Sequence, residues 1–255
     1  ENLNDVIDRD KDHKLISTLS NKLLNEIFFV PDLNWPQIVN WFGTGVESKN
    51  ILVYFENNRI FSYLLAEGFS GSIPRPSKDQ FDLLSIFETA EGEEKSSIHL
   101  DRRLNLATKI DNQGNISHSL KVGYINANNL NISNRLRMRM YLPAGSRIIK
   151  ASSGEIDLMK DSTSAIEYGR LVYSFVFEIR PKEQKSLTFE YSTPFKFNLH
   201  ADKINYRLDI IKQPGTSPDP LEWRISYPES LKTNSQTNII TDWGKDRSFV
   251  VEFTK

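Results

Sequence analysis

The sequence contains no cysteine, only four histidines and no long uninterrupted run of apolar residues. The lack of cysteine excludes disulfide scaffolds, cysteine nucleophiles, iron–sulfur clusters and cysteine-based zinc sites. The longest apolar cluster, residues 27–30, is much shorter than the roughly 18 residues that a membrane-spanning helix needs. We therefore predict no membrane span in this chain, and we expect any signal peptide or membrane anchor to lie upstream of Glu1.

The chain also lacks an excess of charge of either sign, with 32 basic residues, 33 acidic residues and a formal net charge of −1. This balance gives no general attraction to nucleic acid or to an anionic membrane. Basic and aromatic residues are not concentrated together, as they are in proteins that bind single-stranded nucleic acid. We predict no nucleic-acid partner. A hydrophobic fraction of 38% is compatible with a folded globular protein of one or two domains.

The first part of the chain, residues 1–69, has mainly helical periodicity. Apolar residues recur at spacings of three and four over residues 15–28, and a proline follows this predicted helix. A second helix is predicted to start at Trp35, with proline in its first turn. Gly43 and Gly45 are expected to end it.

A short strand and a third helix complete this lead-in. Residues 51–55 are rich in β-branched and aromatic residues, which favours a strand. Asn57 or Asn58 can cap the following helix, and Gly68 terminates it. Because one strand cannot form a sheet, we interpret residues 1–69 as the end of an upstream domain or as a small cap packed on the next domain.

Residues 70–97 are predicted to be a linker. They contain Pro74, Pro76 and a charged stretch over residues 91–95. The apolar residues between positions 81 and 87 could nevertheless dock on a neighbouring domain.

From residue 98 onward the hydrophobic period changes to two, which predicts a β domain over residues 98–255. The turn at residues 111–114 separates two alternating runs and indicates a hairpin. Many strands with short turns and no intervening helix predict a mostly β fold, an antiparallel immunoglobulin-like β-sandwich. The further strand-like runs are Leu136–Leu142, Leu171–Ile179, Ser186–Tyr191, Ile204–Ile211, Leu221–Tyr227 and Phe249–Phe253. The aromatic residues expected on the inward face are Tyr173, Phe175, Phe177, Phe189, Tyr191, Tyr206, Trp223 and Phe253.

Four segments resemble the bacterial domain-of-unknown-function family 4012. They are residues 49–71, which end in G-F-S-G; residues 141–146, Y-L-P-A-G-S; residues 175–191, F-V-F-E-I-R-P-K-E-Q-K-S-L-T-F-E-Y; and residues 206–216, which end in K-Q-P-G-T. Because they occur in the family's order, the chain is similar to the carboxy-terminal part of that family. Residues 98–105 depart from the family's usual glycine-containing entry to the first strand.

This resemblance implies an extracytoplasmic protein of the bacterial cell surface or envelope, usually with an amino-terminal membrane anchor. It also implies a larger upstream domain that is distantly similar to the LytR–CpsA–Psr envelope phosphotransferases. The chain lacks the core of that domain, so no active-site residue of it can be assigned here.

Motifs for catalysis, cofactors and metals are missing. The sequence contains no G-x-S-x-G nucleophile elbow, no H-E-x-x-H zinc motif and no phosphate-binding glycine loop. The histidines, His13, His99, His118 and His200, are scattered without the spacing of metal ligands. We therefore predict no catalytic residue, no cofactor and no metal site.

A row of arginines is the strongest candidate for a binding site. The spacing of two places Arg135, Arg137 and Arg139 on one face of a strand, with Leu136 and Met138 on the other. Guanidinium groups bind phosphate and carboxylate well, so the row could hold an anionic wall polymer or an acidic partner. The alternative is a charged face that keeps the sheet soluble and blocks edge-to-edge association.

The leading prediction is a non-catalytic extracytoplasmic structural or interaction module that binds a cell-wall polymer or another envelope protein. One alternative is an accessory domain of an envelope glycopolymer phosphotransferase, with catalysis upstream. Another is a carbohydrate-binding module, which needs at least two exposed coplanar aromatic rings. Trp35, Trp41, Trp223 and Trp243 are the candidates for such rings, but their apolar surroundings in the sequence favour the core.

Overall fold

A computed structural model describes residues 35–66, 68–73, 82–91, 100–127 and 133–255, together with residues 14, 17–19, 21 and 22. The chain divides into two compact units, residues 1–44 and 45–255. Two helices, α1 (Trp35–Glu47) and α2 (Asn58–Ala66), precede a mostly β body. None of the helices described is long and apolar enough to cross a membrane. The strands are β1 (Asp82–Ala90), β2 (Leu100–Ile110), β3 (Asn115–Asn126), β4 (Asn134–Pro143), β5 (Arg147–Ser153), β6 (Ile156–Asp157), β7 (Thr163–Glu167), β8 (Arg170–Ile179), β9 (Gln184–Lys196), β10 (Lys203–Ile211), β11 (Pro220–Ser226), β12 (Asn238–Asp242) and β13 (Arg247–Thr254).

Helix α2 is capped as its sequence predicts. The side-chain Oδ1 of Asn57 accepts hydrogen bonds from the backbone N–H groups of Arg59 at 3.0 Å and Ile60 at 3.4 Å. After the helix, Gly68 adopts φ 77° and its N–H donates to the carbonyl of Leu65 at 3.2 Å. Both ends of the predicted third helix are therefore confirmed.

Two details of the predicted lead-in are wrong. Helix α1 continues through Gly43 and Gly45 to Glu47, because glycine weakens a helix interior without necessarily ending it. Residues 51–55 form no strand; the N–H of Val53 donates to the carbonyl of Phe69 at 3.3 Å, and the segment joins neither of the two sheets. In the first predicted helix, residues 17–19, 21 and 22 are helical, and the other positions lie outside the described residues.

Two sheets form the body of the second unit. The six-stranded sheet has the order β13-β10-β1-β4-β8-β7, and the seven-stranded sheet has the order β12-β11-β2-β3-β9-β5-β6. Alternate residues of both sheets contribute to one buried core, so the architecture is sandwich-like. All eight aromatic residues predicted to face inward are buried in that core, and the six predicted strand runs coincide with β4, β8, β9, β10, β11 and β13.

The hairpin of β2 and β3 is also confirmed. Its turn is held by the carboxylate of Asp111, whose Oδ1 accepts hydrogen bonds from the N–H groups of Gln113 and Asn115, both at 2.8 Å. Gly114 adopts φ 79°, and a Cβ at this position would lie 2.3 Å from the carbonyl oxygen of Phe197. The turn therefore requires glycine for its backbone conformation and for its close approach to a neighbouring chain segment.

The prediction of purely antiparallel sheets is wrong at two places. Strand β1 pairs in parallel with β10, and β2 pairs in parallel with β11, so both sheets are mixed. Parallel neighbours need a long connection, and these partners are separated by most of the domain.

The prediction of a linker over residues 70–97 is wrong for residues 82–90. These residues form β1, which lies between β10 and β4 in the six-stranded sheet. Most of β1 is buried on both faces, so its sequence is a nearly continuous apolar run without the alternation that reveals a half-exposed strand. Residues 74–81 and 92–97 of the predicted linker lie outside the described residues.

Candidate functional site

Strand β1 carries a carboxylate near each end of its inward face. Alternate residues of a strand share a face, so Asp82, Leu84, Ile86 and Glu88 all point toward the seven-stranded sheet. Leu84 and Ile86 belong to the apolar core, whereas Asp82 and Glu88 each enter a polar network. In these two networks, buried ionisable side chains from different strands come into direct contact.

The first network is centred on Asp82. Its Oδ2 accepts a hydrogen bond from the hydroxyl of Tyr206 at 2.7 Å, and Oδ1 accepts one from the N–H of Leu83 at 2.8 Å. Nε2 of His118 lies 2.8 Å from the same Oδ2, an ion-pair distance, although its N–H direction falls outside good hydrogen-bond geometry. The carboxylate of Asp82 thus gathers groups from β1, β3 and β10.

Thr108 connects this histidine to the neighbouring strands. Its Oγ1 accepts a hydrogen bond from Nε1 of Trp223 at 3.0 Å and lies 3.1 Å from Nδ1 of His118. Nδ1 of His118 and the Thr108 hydroxyl are therefore within hydrogen-bonding distance, and the tautomer of the imidazole decides which of the two donates. The ring of Tyr191 stacks on that of His118 with centroids 4.6 Å apart.

The burial of this network points to a structural role. The side chains of His118 and Asp82 are both 0% exposed, and Tyr206 and Trp223 are equally buried. Burial, with the nearby Asp82 charge, raises the pKa of Tyr206 and Tyr191 well above its usual value, so both phenols stay neutral. The network joins β1 and β10 of one sheet to β2, β3, β9 and β11 of the other. Its polar contacts connect the two sheets through the core.

The second network is centred on Arg102. Its Nη1 lies 2.9 Å from Oε2 of Glu88, and its Nη2 and Nε lie 2.6 Å and 3.0 Å from Oδ2 of Asp219. The hydroxyl of Tyr124 donates a hydrogen bond to the other oxygen of Glu88, and the guanidinium lies 5.9 Å from the ring centre of Trp243. Glu88 belongs to the six-stranded sheet, while Arg102 and Tyr124 belong to the seven-stranded sheet.

Burial disfavours the charged forms of the side chains in this second network. It raises the pKa of Asp219, although the positive charge of Arg102 and its hydrogen bond lower that pKa in part. For Arg102 itself, burial alone would lower the pKa, but the charges of Glu88 and Asp219 more than offset it and the net shift is upward. The guanidinium therefore stays charged between two carboxylates, and a cavity of about 250 Å³ adjoins the cluster.

Two buried lysines lie beside this network. Nζ of Lys49 lies 2.7 Å from Oδ1 of Asp246, the same oxygen that accepts the backbone N–H of Lys212 at 2.8 Å. Nζ of Lys212 donates to the carbonyl of Gln213 at 3.1 Å. Burial lowers the pKa of Lys212, and the positive charges of Arg102 and Lys49 lower it further.

The arginine row lies where the sequence places it, on the outer face of β4. Arg135, Arg137 and Arg139 alternate with buried apolar residues of the strand. Nε of Arg137 lies 2.5 Å from Oε1 of Glu91, and this hydrogen bond lowers the pKa of Glu91. Arg139 pairs with Glu167. A cleft of about 470 Å³ adjoins Arg135 and Arg137, but two of the three positive charges already have carboxylate partners.

The remaining sequence candidates are separated. Of the four histidines, His118 is buried, His200 is exposed, and His13 and His99 lie outside the described residues. Among the residues that the structure describes, no cluster of histidine, aspartate and glutamate could hold a metal ion. The tryptophans divide as well: Trp223 and Trp243 belong to the core, whereas Trp35 and Trp41 are exposed, contrary to the expectation for a core residue.

The grouping of Asp82, Glu88 and Arg102 was not predicted from the sequence. A signal was available in the acidic residues at both ends of an apolar run, D-L-L-S-I-F-E. Carboxylates in such positions need buried cationic or hydroxyl partners, and this need marks the run as a strand with inward charges. Their partners come from distant strands and cannot be read from spacing.

Comparisons with known proteins assign no family. No protein-family model and no curated protein matches the sequence. Among solved structures, a candidate nutrient-binding protein of Legionella pneumophila is 10% identical, with 68% of this chain and 71% of that chain covered and a TM-score of 0.43. An M1 zinc metallopeptidase of Deinococcus radiodurans is 14% identical, with 61% and 39% covered and a TM-score of 0.33. Leukotriene A4 hydrolase of Saccharomyces cerevisiae is 8% identical, with 64% and 31% covered and a TM-score of 0.33.

Proposed function

We propose that this chain is a non-catalytic structural and interaction module of a bacterial cell-envelope protein, located outside the cytoplasm. In this proposal an immunoglobulin-like sandwich presents its outer faces to a cell-wall polymer or to another envelope protein. The placement in the envelope is supported by the sequence resemblance. The alternative role, as an accessory domain of an envelope glycopolymer phosphotransferase, uses the same module with catalysis upstream.

One observation carries the proposal. The residues best suited to acid–base chemistry, Asp82 and His118, have fully buried side chains and bind other residues of the core. A reacting group needs contact with its substrate, so this pair serves the fold instead. The accessible charges lie on the outer sheet faces, where Arg135 borders an open cleft.

The charge balance of the arginine row limits how it can bind. Since Glu91 and Glu167 neutralise Arg137 and Arg139, an incoming anion must compete with them for the guanidinium groups. The row therefore fits a partner that offers its own basic groups to these carboxylates while an acidic group approaches Arg135. A protein partner meets this requirement more readily than a uniformly anionic polymer.

The test is co-sedimentation of the purified chain with isolated cell-wall material and with envelope protein extracts, over a salt series. A variant with Arg135, Arg137 and Arg139 all replaced by Ala is compared with the unmodified chain. Binding that weakens with salt and disappears in the variant supports the proposal. If the variant binds as well as the unmodified chain, the arginine row is not the binding site. If the unmodified chain binds neither material, the proposed interaction role is wrong.

A further inference from the structure

A second exposed face, on the seven-stranded sheet, has features that the arginine row lacks. Here β2, β3 and β9 lie side by side, and Arg103, Gly123 and Ser186 occupy one row across them. Gly123 stands in the middle of a strand, where a missing side chain leaves room for another molecule to approach the backbone. The space above it is a groove of about 880 Å³.

Two basic residues border the gap at Gly123. Arg103 is its direct cross-strand neighbour, and Lys121 precedes it by two residues on the same face. Arg103 and Lys121 are diagonal neighbours on adjacent strands, a relationship in which the Cα atoms are about 7–8 Å apart. Both are exposed, and among the described residues neither forms an ion pair, in contrast to Arg137 and Arg139.

The other groups of the groove favour an organic anion. Four basic and two acidic residues line it. Arg102 pairs with Asp219 and Lys185 pairs with Glu183, which leaves Arg103 and Lys121 as its available basic groups beside Asp101. Ile125, 45% exposed, offers an apolar contact on the same face as Gly123. The hydroxyl oxygen of Ser186 is shielded and has no hydrogen-bond partner in the described part of the chain, so a ligand oxygen could satisfy it after a side-chain rotation.

We infer that this groove binds a ligand with a phosphate or carboxylate group, held between Arg103 and Lys121 while its carbon skeleton contacts Ile125. The guanidinium of Arg103 supplies paired donors, and the ammonium of Lys121 supplies a compact charge. This inference rests on the proposed interaction role and gives it a specific site and ligand chemistry. The site is separate from the arginine row, which lies on the other sheet.

The experiment is a titration of the ¹⁵N-labelled chain, followed by amide chemical shifts, with three probes. Glucose 1-phosphate and galacturonate test the phosphate and carboxylate forms of the ligand, and glucose is the neutral control. Saturable shifts at residues 103, 121, 123 and 186 are expected with one or both anions and not with glucose. Arg103→Ala and Lys121→Ala should each weaken binding by about tenfold.

Two further variants separate a site from a general charge effect. Gly123→Thr places a side chain in the gap beside Arg103 and Lys121 at constant charge, and it should abolish binding while the fold persists, since a Cβ there meets only a backbone oxygen at 3.9 Å. Lys109→Ala removes an exposed positive charge from the same strand as Arg103 outside the groove, and it should bind normally. Equal shifts with glucose, or unchanged binding by Gly123→Thr, would overturn the inference.

The two proposals fail in distinguishable ways. If the probes bind but the chain does not co-sediment with wall or envelope material, the inference that the groove binds an organic anion is supported and the proposed envelope partner is wrong. If the chain co-sediments but the probes produce no saturable shifts, the interaction role stands and the groove is not its site.

Discussion

Nε2 of His118 and Oδ2 of Asp82 lie 2.8 Å apart with both side chains fully buried, and they belong to different sheets. Leucine at position 118 would leave the buried carboxylate of Asp82 and the hydroxyl of Thr108 without this polar neighbour. We therefore expect His118→Leu to lower the free energy of unfolding by about 1–3 kcal/mol. Urea denaturation measures this change.

The control for this prediction is His200→Leu, because His200 is exposed. Its effect should stay within about 0.5 kcal/mol. A loss of less than about 1 kcal/mol for His118→Leu would show that the remaining partners of the Asp82 carboxylate, Tyr206 and the N–H of Leu83, are sufficient.

The Arg102 network predicts a pH-dependent effect. Replacing Arg102 with Leu leaves the carboxylates of Glu88 and Asp219 buried without their cation, so we expect a loss of about 3–5 kcal/mol at pH 7. The loss should become smaller at acidic pH, because protonation removes the uncompensated charges. Urea denaturation at pH 7 and pH 5 measures both effects, and a loss independent of pH would contradict this explanation.

In the unmodified protein, the raised pKa of Asp219 determines the direction of its pH-dependent contribution to stability. The folded-state pKa of Asp219 is raised above its usual value near 3.8. This residue therefore contributes stability that is fully present below the unfolded-state pKa and is lost as the pH rises through the folded-state value. Asp219→Asn in the Arg102→Leu background should recover part of the lost stability at pH 7.

Lys212 should destabilise the protein when it is charged. Its pKa is lowered, so the stability that it contributes is present above its usual pKa of 10.5 and is lost as the pH falls through the folded-state value. We expect Lys212→Met to raise the free energy of unfolding at pH 7 by about 1 kcal/mol. The gain should shrink toward pH 10.5, and chemical denaturation at both pH values tests it.

Lys203→Met provides the comparison, because Lys203 is an exposed lysine on the same strand, β10, that ends next to Lys212. It should change the stability by no more than about 0.5 kcal/mol at either pH. A loss of stability in Lys212→Met would mean that its hydrogen bond to Gln213 outweighs the cost of burying the charge.

The half-exposed strands could be predicted from the sequence, and β1 could not. In β2 and β3 the alternation of apolar and polar residues follows directly from one buried face, and the turn at Asp111 and Gly114 marks the hairpin. Strand β1 has no such alternation because it is covered on both faces, and its parallel partner β10 lies far along the chain. Local periodicity contains no information on that pairing.

The candidate sites divide in the same way. The common face of Arg135, Arg137 and Arg139 follows from the period of a strand, but their partners Glu91 and Glu167 lie outside β4 and could not be assigned. The spacing of the histidines indicated no metal site, but it could not predict the contacts of His118. Its partners come from three other strands, β1, β2 and β9. Spacing predicts which face a residue occupies, whereas a network across two sheets depends on the complete topology.

The position of β1 has a mechanical consequence. Hydrogen bonds to β10 on one side and β4 on the other hold the strand, and its two carboxylates bind groups of the opposite sheet. A force applied along the axis of β1 would load both rows of hydrogen bonds together in shear, so they would not break one at a time. Extension in this direction would thus be resisted by two ladders and two buried networks acting together.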